Sequence, residues 1–392
     1  MKIIITGASG FIGRQLVPRL QAGGASLVLV GRDPERLKAL FPELPTHDYN
    51  SLPTLEGDLL VHLAVLNNDQ PGDEAAFDAI NVALLADTLA SAKAAQVTRF
   101  LQVSTIQALD EKRVDPYSVS KRKAQAILNA VDGIEVRTVF LPIVYGDHFS
   151  GKLAKLERLP RWLRPSALTV LSALKPAVHV DRLATHILSG GEGGILTDGQ
   201  VQNPAYKTMR LMMDWGFALG VLIALWWMLL IVWAIVAISS PGPGLFVQQR
   251  VGKGGRNFPL YKFRTMTIGT KQAGTHEVSA ASVTGVGHFL RRTKLDELPQ
   301  IINILRGELS LIGPRPCLPV QTELVSERRA RGVLDILPGI SGLAQVEGID
   351  MSEPIRLARR DADYVALRAI LLDVRIAIAT ARGRGSGDHV NE

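Results

Sequence analysis

The chain has 392 residues, 47% hydrophobic and 21% charged, a balance that excludes a disordered, collagen-like or coiled-coil protein and fits two or three folded units. Its single cysteine, Cys317, excludes an intramolecular disulfide, so nothing asks for an oxidising compartment. The net charge of +7 is uneven: residues 1–206 carry 21 basic and 21 acidic side chains, residues 207–392 carry 23 and 16. Such a basic excess suits nucleic acid, an anionic membrane surface or phosphorylated substrates.

The chain opens with Ile3-Ile4-Ile5, a β-branched run, then Thr6-Gly7-Ala8-Ser9-Gly10-Phe11-Ile12-Gly13 and a helical stretch. Glycines at 7, 10 and 13 let the backbone turn tightly, approach a pyrophosphate and pack the helix on its strand, with the phosphate on the helix N-terminus. Gly7, Gly10, Phe11, Ile12 and Gly13 are therefore candidate cofactor-binding residues. A second strand ends at Gly31-Arg32-Asp33. An acidic residue there holds a ribose hydroxyl and a basic one a 2′-phosphate, so Arg32 favours NADP(H) and Asp33 leaves NAD(H) open. Strands at 58–65, 99–105 and 134–141 alternate with helical stretches, which predicts a doubly wound parallel sheet. Tyr117 and Lys121 stand one helical turn apart. The cation favours the phenolate, making a proton donor or acceptor for an alcohol–ketone pair. Thr105, at a strand end, can bond the same oxygen, while His62 and His179 read as structural.

These residues resemble the extended short-chain dehydrogenase/reductase family, specifically its nucleotide-sugar epimerases, dehydratases and reductases. The likeness covers about residues 1–200 and rests on TGASGFIG, DLLVHLA, Asn81-Val82, VST at 103–105, YSVSK, LPIVYGD at 141–147 and VHVDRLA at 178–184. It implies a catalytic set of Thr105, Tyr117 and Lys121 exchanging hydride with a nicotinamide. The stretch between Gly146 and His179, where the family builds much of its sugar-binding lobe, is short here.

From Trp215 to Ile238 run 24 residues without a charge. About 20 apolar residues in a helix cross a bilayer core, which predicts a membrane segment. Lys207 and Arg210 precede it, and Arg250, Lys253 and Arg256 follow. Basic residues favour the cytoplasmic face, and both flanks are basic, so the expectation is a re-entrant, monotopic helix that bends and returns. No proline lies inside the segment to make that bend.

Beyond it, Ser240-Pro241-Gly242-Pro243-Gly244 ends any helix. A glycine-rich basic stretch then carries Lys253, Arg256, Lys262 and Arg264, suited to phosphates or anionic headgroups. Asp296 and Glu297 sit just ahead of a predicted helix that Pro299 opens, among Arg291, Arg292 and Lys294. Cations hold a carboxylate ionised, so it can act as nucleophile or metal ligand near phosphate. Ile312-Gly313-Pro314-Arg315-Pro316 adds a rigid turn presenting one guanidinium.

Residues 207–380 resemble the bacterial sugar transferases, the monotopic phosphoglycosyl transferases. The shared residues are SPGPGLFVQQRVG, YKFRTM, LRRTKLDELPQIINILRGELSLIGPRP, LPGISGLAQVEG and DADYV. The resemblance implies transfer of a sugar-1-phosphate from a UDP-sugar to a polyprenol phosphate, with Mg²⁺. It makes Asp296 the nucleophile and Glu297 its partner or a metal ligand, with Lys262, Arg264, Arg291 and Arg315 neutralising phosphates. Where that family's membrane helix breaks at a Ser-Pro pair, this chain has Trp226-Trp227.

The expectation is thus a fused enzyme of bacterial glycan assembly: an NADP-binding domain at 1–205, a membrane-inserted helix at 206–240 and a small, mixed, helix-rich transferase domain at 241–392. Both domains are expected on the cytoplasmic face of the bacterial inner membrane, with no nucleic-acid partner and a homodimer left open. The tail RGRGSGDHVNE is expected to carry no chemistry.

Overall fold

A computed structural model describes residues 1–68, 72–149, 151–269 and 282–385; most of the tail lies outside the described residues. The chain forms two compact units, residues 1–171 with 176–199, and 172–175 with 200–392.

The first unit alternates strands and helices: β1 (Lys2–Thr6), α1 (Phe11–Ala22), β2 (Ser26–Val30), α2 (Pro34–Leu40), β3 (Thr46–His47), β4 (Leu59–His62), α3 (Glu74–Asp78), α4 (Leu84–Ala94) and β5 (Arg99–Thr105). Next come α5 (Pro116–Asn129), β6 (Glu135–Leu141), β7 (Ile143–Tyr145), α6 (Arg164–Leu174), β8 (Ala177–His179), α7 (Val180–Leu188) and β9 (Gly194–Ile195). Among the described residues, seven strands form one parallel sheet in the order β3-β2-β1-β4-β5-β6-β9. Helices cover both faces, which is why β1 is apolar on both sides. Ile3 and Ile5 pack with Leu16, Leu20 and Leu183, whereas Ile4 packs with Leu85, Leu89 and Leu128 on the other face. The strand order reverses between β1 and β4, and in such sheets ligands bind outside the carboxyl ends of the strands at that point. The short stretch after Gly146 holds a 3₁₀ segment at Gly151–Arg158, α6, and strand β8, which among the described residues pairs with β7 alone.

The second unit begins with α8 (Pro204–Ser239), then β10 (Leu245–Val251), β11 (Asn257–Phe263), α9 (Gly285–Thr293), α10 (Ile301–Leu305), β12 (Ser310–Ile312), α11 (Thr322–Ala330), β13 (Gly339–Ser341), α12 (Leu343–Val346), α13 (Pro354–Leu367) and α14 (Ile370–Ala381). Strands β10 and β11 form an antiparallel hairpin, Leu245 opposite Phe263, and β12 pairs with β13 in parallel.

Helix α8 differs from expectation. Asn203 caps it by accepting from the Tyr206 N–H at 3.0 Å, and 36 residues then run as one helix, about 54 Å, straight through Trp226-Trp227. The bend of a re-entrant helix is absent from it, because nothing in the run removes a backbone hydrogen bond as proline would. Its first turns are held by a buried polar network. The Arg210 guanidinium donates to Ser310 Oγ at 2.9 Å, to the Tyr206 and Tyr364 hydroxyls at 3.0 Å and to Asp373. Asp214 accepts from Ser310 Oγ at 2.6 Å and from the Leu311 N–H at 2.8 Å. Arg210 is therefore a packing cation and not a free flanking charge that sets membrane orientation.

Candidate active sites

In the first unit the loop after β1 makes the turn that the glycines promised. Gly7 has φ +75°, and a Cβ there would lie 2.5 Å from the Ala64 nitrogen, just past β4. A Cβ on Gly13 would lie 2.5 Å from Ala8, so α1 can approach its strand only without one. Gly10 stands at the N-cap with no side-chain cap, and the first turn of α1 holds no acid, leaving its backbone N–H groups to an anion. Phe11 opens α1 and Ile12 packs on the core beneath. Arg32 is exposed after β2. Asp33 caps α2, its Oδ1 accepting from the Arg36 N–H at 2.9 Å.

Thr105 ends β5, where its hydroxyl accepts from the Gln107 N–H at 3.3 Å. Tyr117 and Lys121 lie in the first half of α5, which Pro116 opens and Asp115 caps through the Ser118 N–H at 3.0 Å. Lys121 Nζ stands 5.9 Å from the centre of the Tyr117 ring. It is 2% exposed and finds no hydrogen-bond partner among the described residues, and burial lowers its pKa to about 7. Burial, with Lys121 close by, pushes His62 down to about 3; neutral, it bonds Thr6 Oγ1 at 2.8 Å through Nδ1 and stacks on Phe100. His179 caps α7. Asn81, quoted in a motif but given no role by the sequence, is 2% exposed and fastens the site. It accepts from the Leu66 N–H at 2.9 Å and donates to Ser120 Oγ on α5 at 3.0 Å. The uncapped α1 terminus and the unpartnered Lys121 ammonium fit a bound dinucleotide.

In the second unit Asp296 and Glu297 lie on a 3₁₀ turn, Leu295–Gln300, that follows α9 through Lys294 in a left-handed conformation (φ +57°). Glu297 Oε1 accepts from Lys262 Nζ at 2.9 Å and from Arg315 at 3.2 Å. Burial would raise this carboxyl, but Lys262 and Arg315 hold it down to about 2. Asp296 goes the other way. Burial, reinforced by the Glu297 charge and only partly offset by Lys262, Arg291 and Arg315, pushes it up to about 6. Arg291 donates to Thr265 Oγ1 at 3.0 Å and leaves Nη1 buried without a partner among the described residues.

Arg264 is not aimed at that cluster. It is 6% exposed and donates to the Ser240 and Pro241 carbonyls at 2.7 and 2.8 Å, closing the end of α8. Arg250, counted among the flanking charges, donates to the Pro316 carbonyl at 3.1 Å. Sequence reasoning also passed over Arg328, which bonds Asp361 of the DADYV motif at 2.7 and 2.9 Å and the Arg315 carbonyl at 2.8 Å. These bonds fix the turn from which Arg315 reaches Glu297.

Among the described residues no three His, Cys, Asp or Glu side chains form a metal cage. Mg²⁺ commonly takes one or two carboxylates together with substrate phosphates, so the ionised Glu297 beside Asp296 fits that ion.

The pattern of the NAD dependent epimerase/dehydratase family matches residues 3–187, and that of the bacterial sugar transferase family matches residues 205–384. The chain is 31% identical over 262 residues to a UDP-glucose:undecaprenyl-phosphate glucose-1-phosphate transferase of Xanthomonas campestris pv. campestris, covering 63% of this chain and 52% of that protein. It is 38% identical over 149 residues to the uncharacterized sugar transferase EpsL of Bacillus subtilis, covering 38% of this chain and 73% of that one. A Caulobacter vibrioides transferase with the same name as the Xanthomonas protein shares 37% identity over 175 residues, 42% of this chain and 65% of its own. The chain thus spans about half the length of the Xanthomonas relative. It belongs to the bacterial sugar transferase family, and ahead of that region its residues 3–187 match the pattern of the NAD dependent epimerase/dehydratase family.

Proposed function

We propose that the second unit transfers a sugar-1-phosphate from a UDP-sugar to undecaprenyl phosphate or another polyprenol phosphate through a covalent intermediate on Asp296. One observation carries this reading: two adjacent carboxylates whose surroundings drive their pKa values apart, ringed by Lys262, Arg291 and Arg315. Such divergence assigns different roles to paired acids. Asp296, ionised at neutral pH and making no ion pair among the described residues, is the nucleophile. Its carboxylate oxygen attacks the phosphorus bearing the sugar, the bond to UMP breaks, and UMP departs with the electron pair. A phosphate oxygen of the polyprenol phosphate then attacks the same phosphorus and expels the Asp296 carboxylate. Lys262, Arg291 and Arg315 oppose the charge that accumulates on the phosphoryl oxygens, where phosphoryl transfer gains most of its rate. Glu297 holds Lys262 and Arg315 in place, and Asp296 and Glu297 would hold Mg²⁺ against the diphosphate. Arg264 acts on helix α8 instead of on substrate.

For the first unit, the reading is a nucleotide-sugar oxidoreductase that uses NADP(H) to reduce a 4-keto group. A bound nicotinamide would supply or take hydride; Tyr117 would move the proton at the sugar oxygen, Thr105 would orient that oxygen, and Lys121 would hold the cofactor and favour the phenolate. Arg32, exposed after β2, supports NADP(H), while Asp33 spends one carboxylate oxygen on capping α2. A second reading is favoured by the short stretch after Gly146: a nucleotide-binding module without turnover, serving only the transferase. Both units are proposed to work on the cytoplasmic face of a bacterial inner membrane, in polysaccharide assembly.

The test is a screen of UDP-sugars with undecaprenyl phosphate, reading UMP. Release that Asp296→Asn abolishes is expected; release that survives it refutes the assignment. NADPH consumption with a 4-keto UDP-sugar separates the oxidoreductase from the module.

A further inference from the structure

We infer that residues 151–164 of the first unit form a docking surface for anionic lipid headgroups, a membrane contact of that unit's own, about 40 residues ahead of α8. The inference rests on the proposed function only in placing the chain at a membrane.

Charge singles the segment out. Residues 1–206 balance at 21 basic and 21 acidic side chains, yet residues 151–164 hold five basic and one acidic, which leaves 16 and 20 for the rest. A local excess of this size in otherwise acidic surroundings is the electrostatic footprint of an anionic partner.

The backbone turns that excess outward. Gly151–Arg158 is a 3₁₀ segment, in which side chains three apart eclipse one another. Leu153 and Leu156 form one such row, buried, and anchor the segment on its unit. Lys155 and Arg158 form another row and are exposed. The Leu163 N–H then donates to the Pro160 carbonyl at 3.0 Å, closing a turn whose two central residues are Arg161 and Trp162. Arg164 locks this turn onto the segment before it: Nε donates to the Leu159 carbonyl at 3.0 Å and Nη2 to the Glu157 carbonyl at 2.6 Å. The one acid, Glu157, accepts from the Phe149 N–H at 3.2 Å. Lys155, Arg158 and Arg161, all exposed, make no ion pair among the described residues.

Trp162 decides which anion this surface meets. It is the only tryptophan among residues 1–206, and at the tip of the turn it is 76% exposed. A site for a soluble phosphate draws its cations into a concave pocket around the ligand. Here three cations stand in the open beside a bare indole. Cations that reach headgroups, with an aromatic ring that enters the layer just beneath them, are the combination carried by interfacial segments. Each Lys or Arg near an anionic surface strengthens attachment about fivefold, so the three supply on the order of 100-fold.

The test uses the full chain with Trp162→Cys carrying the environment-sensitive NBD fluorophore, an amphipathic ring in the indole's place. Cys317 is 0% exposed and escapes the label. A control chain carries the label at Val114→Cys, 86% exposed in the same unit. Vesicles are phosphatidylcholine alone or mixed with phosphatidylglycerol, and sedimentation reports whether the chain is bound. The expected result is a brighter, blue-shifted emission at 162 with phosphatidylglycerol only, reversed at about 1 M salt, where charges are screened within about 3 Å, and no change at 114. Lys155→Gln, Arg158→Gln and Arg161→Gln together should lower the ratio of docked to free segment by on the order of 100-fold. Bound chain whose label at 162 does not respond overturns the inference, and so does an equal response to both lipids. A response to UDP-glucose without vesicles overturns it as well and assigns the cations to a soluble phosphate. A chain that stays off both kinds of vesicle refutes the membrane part of the proposed function, and this inference falls with it. Should the triple variant lose its fold, the labelled chain with its cations intact still decides: a response that salt does not reverse overturns the contact.

Discussion

Replacing Lys121 with methionine should make the first unit more stable while silencing its chemistry. Its ammonium is 2% exposed and has no hydrogen-bond partner among the described residues, and burial lowers its pKa from 10.5 to about 7. Between those values the unfolded chain holds the proton and the folded chain does not, so stability of the native protein rises with pH from about 7 towards 10.5. At ~1.36 kcal/mol per pH unit, the gap amounts to about 4 kcal/mol at pH 7 after allowing for half-protonation at the folded value. Lys121→Met keeps the unbranched stem and removes the charge. It is expected to gain up to about 4 kcal/mol at pH 7, an advantage that shrinks as pH approaches 10.5. Pulse proteolysis of the full chain across a urea series, following the fragment from the first unit at pH 7, 8 and 9, measures both trends. A variant no more resistant than the native protein at pH 7, with native resistance flat across that range, refutes the reasoning. Lost nicotinamide-dependent turnover in the stabilised variant would mark the lysine as a functional group retained at the expense of stability.

Arg210→Met strands Asp373, fully buried, and Asp214, and should cost the second unit about 3–5 kcal/mol, most of it recovered in Arg210→Met with Asp373→Leu; chemical denaturation followed by tryptophan fluorescence measures this. Because Asp296 must be ionised to attack and its carboxyl sits near 6, UMP release should fall about tenfold per pH unit below that value and stay level above it; a level rate down to pH 5 contradicts the nucleophile assignment. Asp33→Ala should remove a helix cap worth about 1 kcal/mol and leave the NADPH/NADH preference unchanged, whereas Arg32→Ala should erode that preference, both read from KM ratios.

Much of this was legible in the sequence because several signals are local. The glycine turn is written in backbone demands at Gly7 and Gly13 that no other residue meets. The parallel sheet is written in strands apolar on both faces. Tyr117 and Lys121 are fixed by helical spacing, and Asp296 and Glu297 by the turn that Pro299 helps to form. What escaped was pairing over long separations. Arg264 and Arg250 read as free cations until the carbonyls of Ser240, Pro241 and Pro316 come to meet them. Arg210 counts as a topology signal in a linear reading, yet its partners lie about 100 and 160 residues along the chain. Arg32-Asp33 gave an ambiguous cofactor signal because a cap and a ribose ligand use the same carboxylate. The bend of α8 was inferred from two basic flanks, of which Arg210 and Arg250 turn out to be held by packing partners.

The central claim is that Asp296 carries the sugar phosphate. Intact-mass and peptide mass spectrometry after rapid acid quench, with a UDP-sugar and no polyprenol phosphate, tests it directly. The expected spectrum shows one added sugar phosphate on the peptide containing Asp296, lost when undecaprenyl phosphate is added and absent in Asp296→Asn. Turnover with no adduct, or an adduct on another residue, contradicts it.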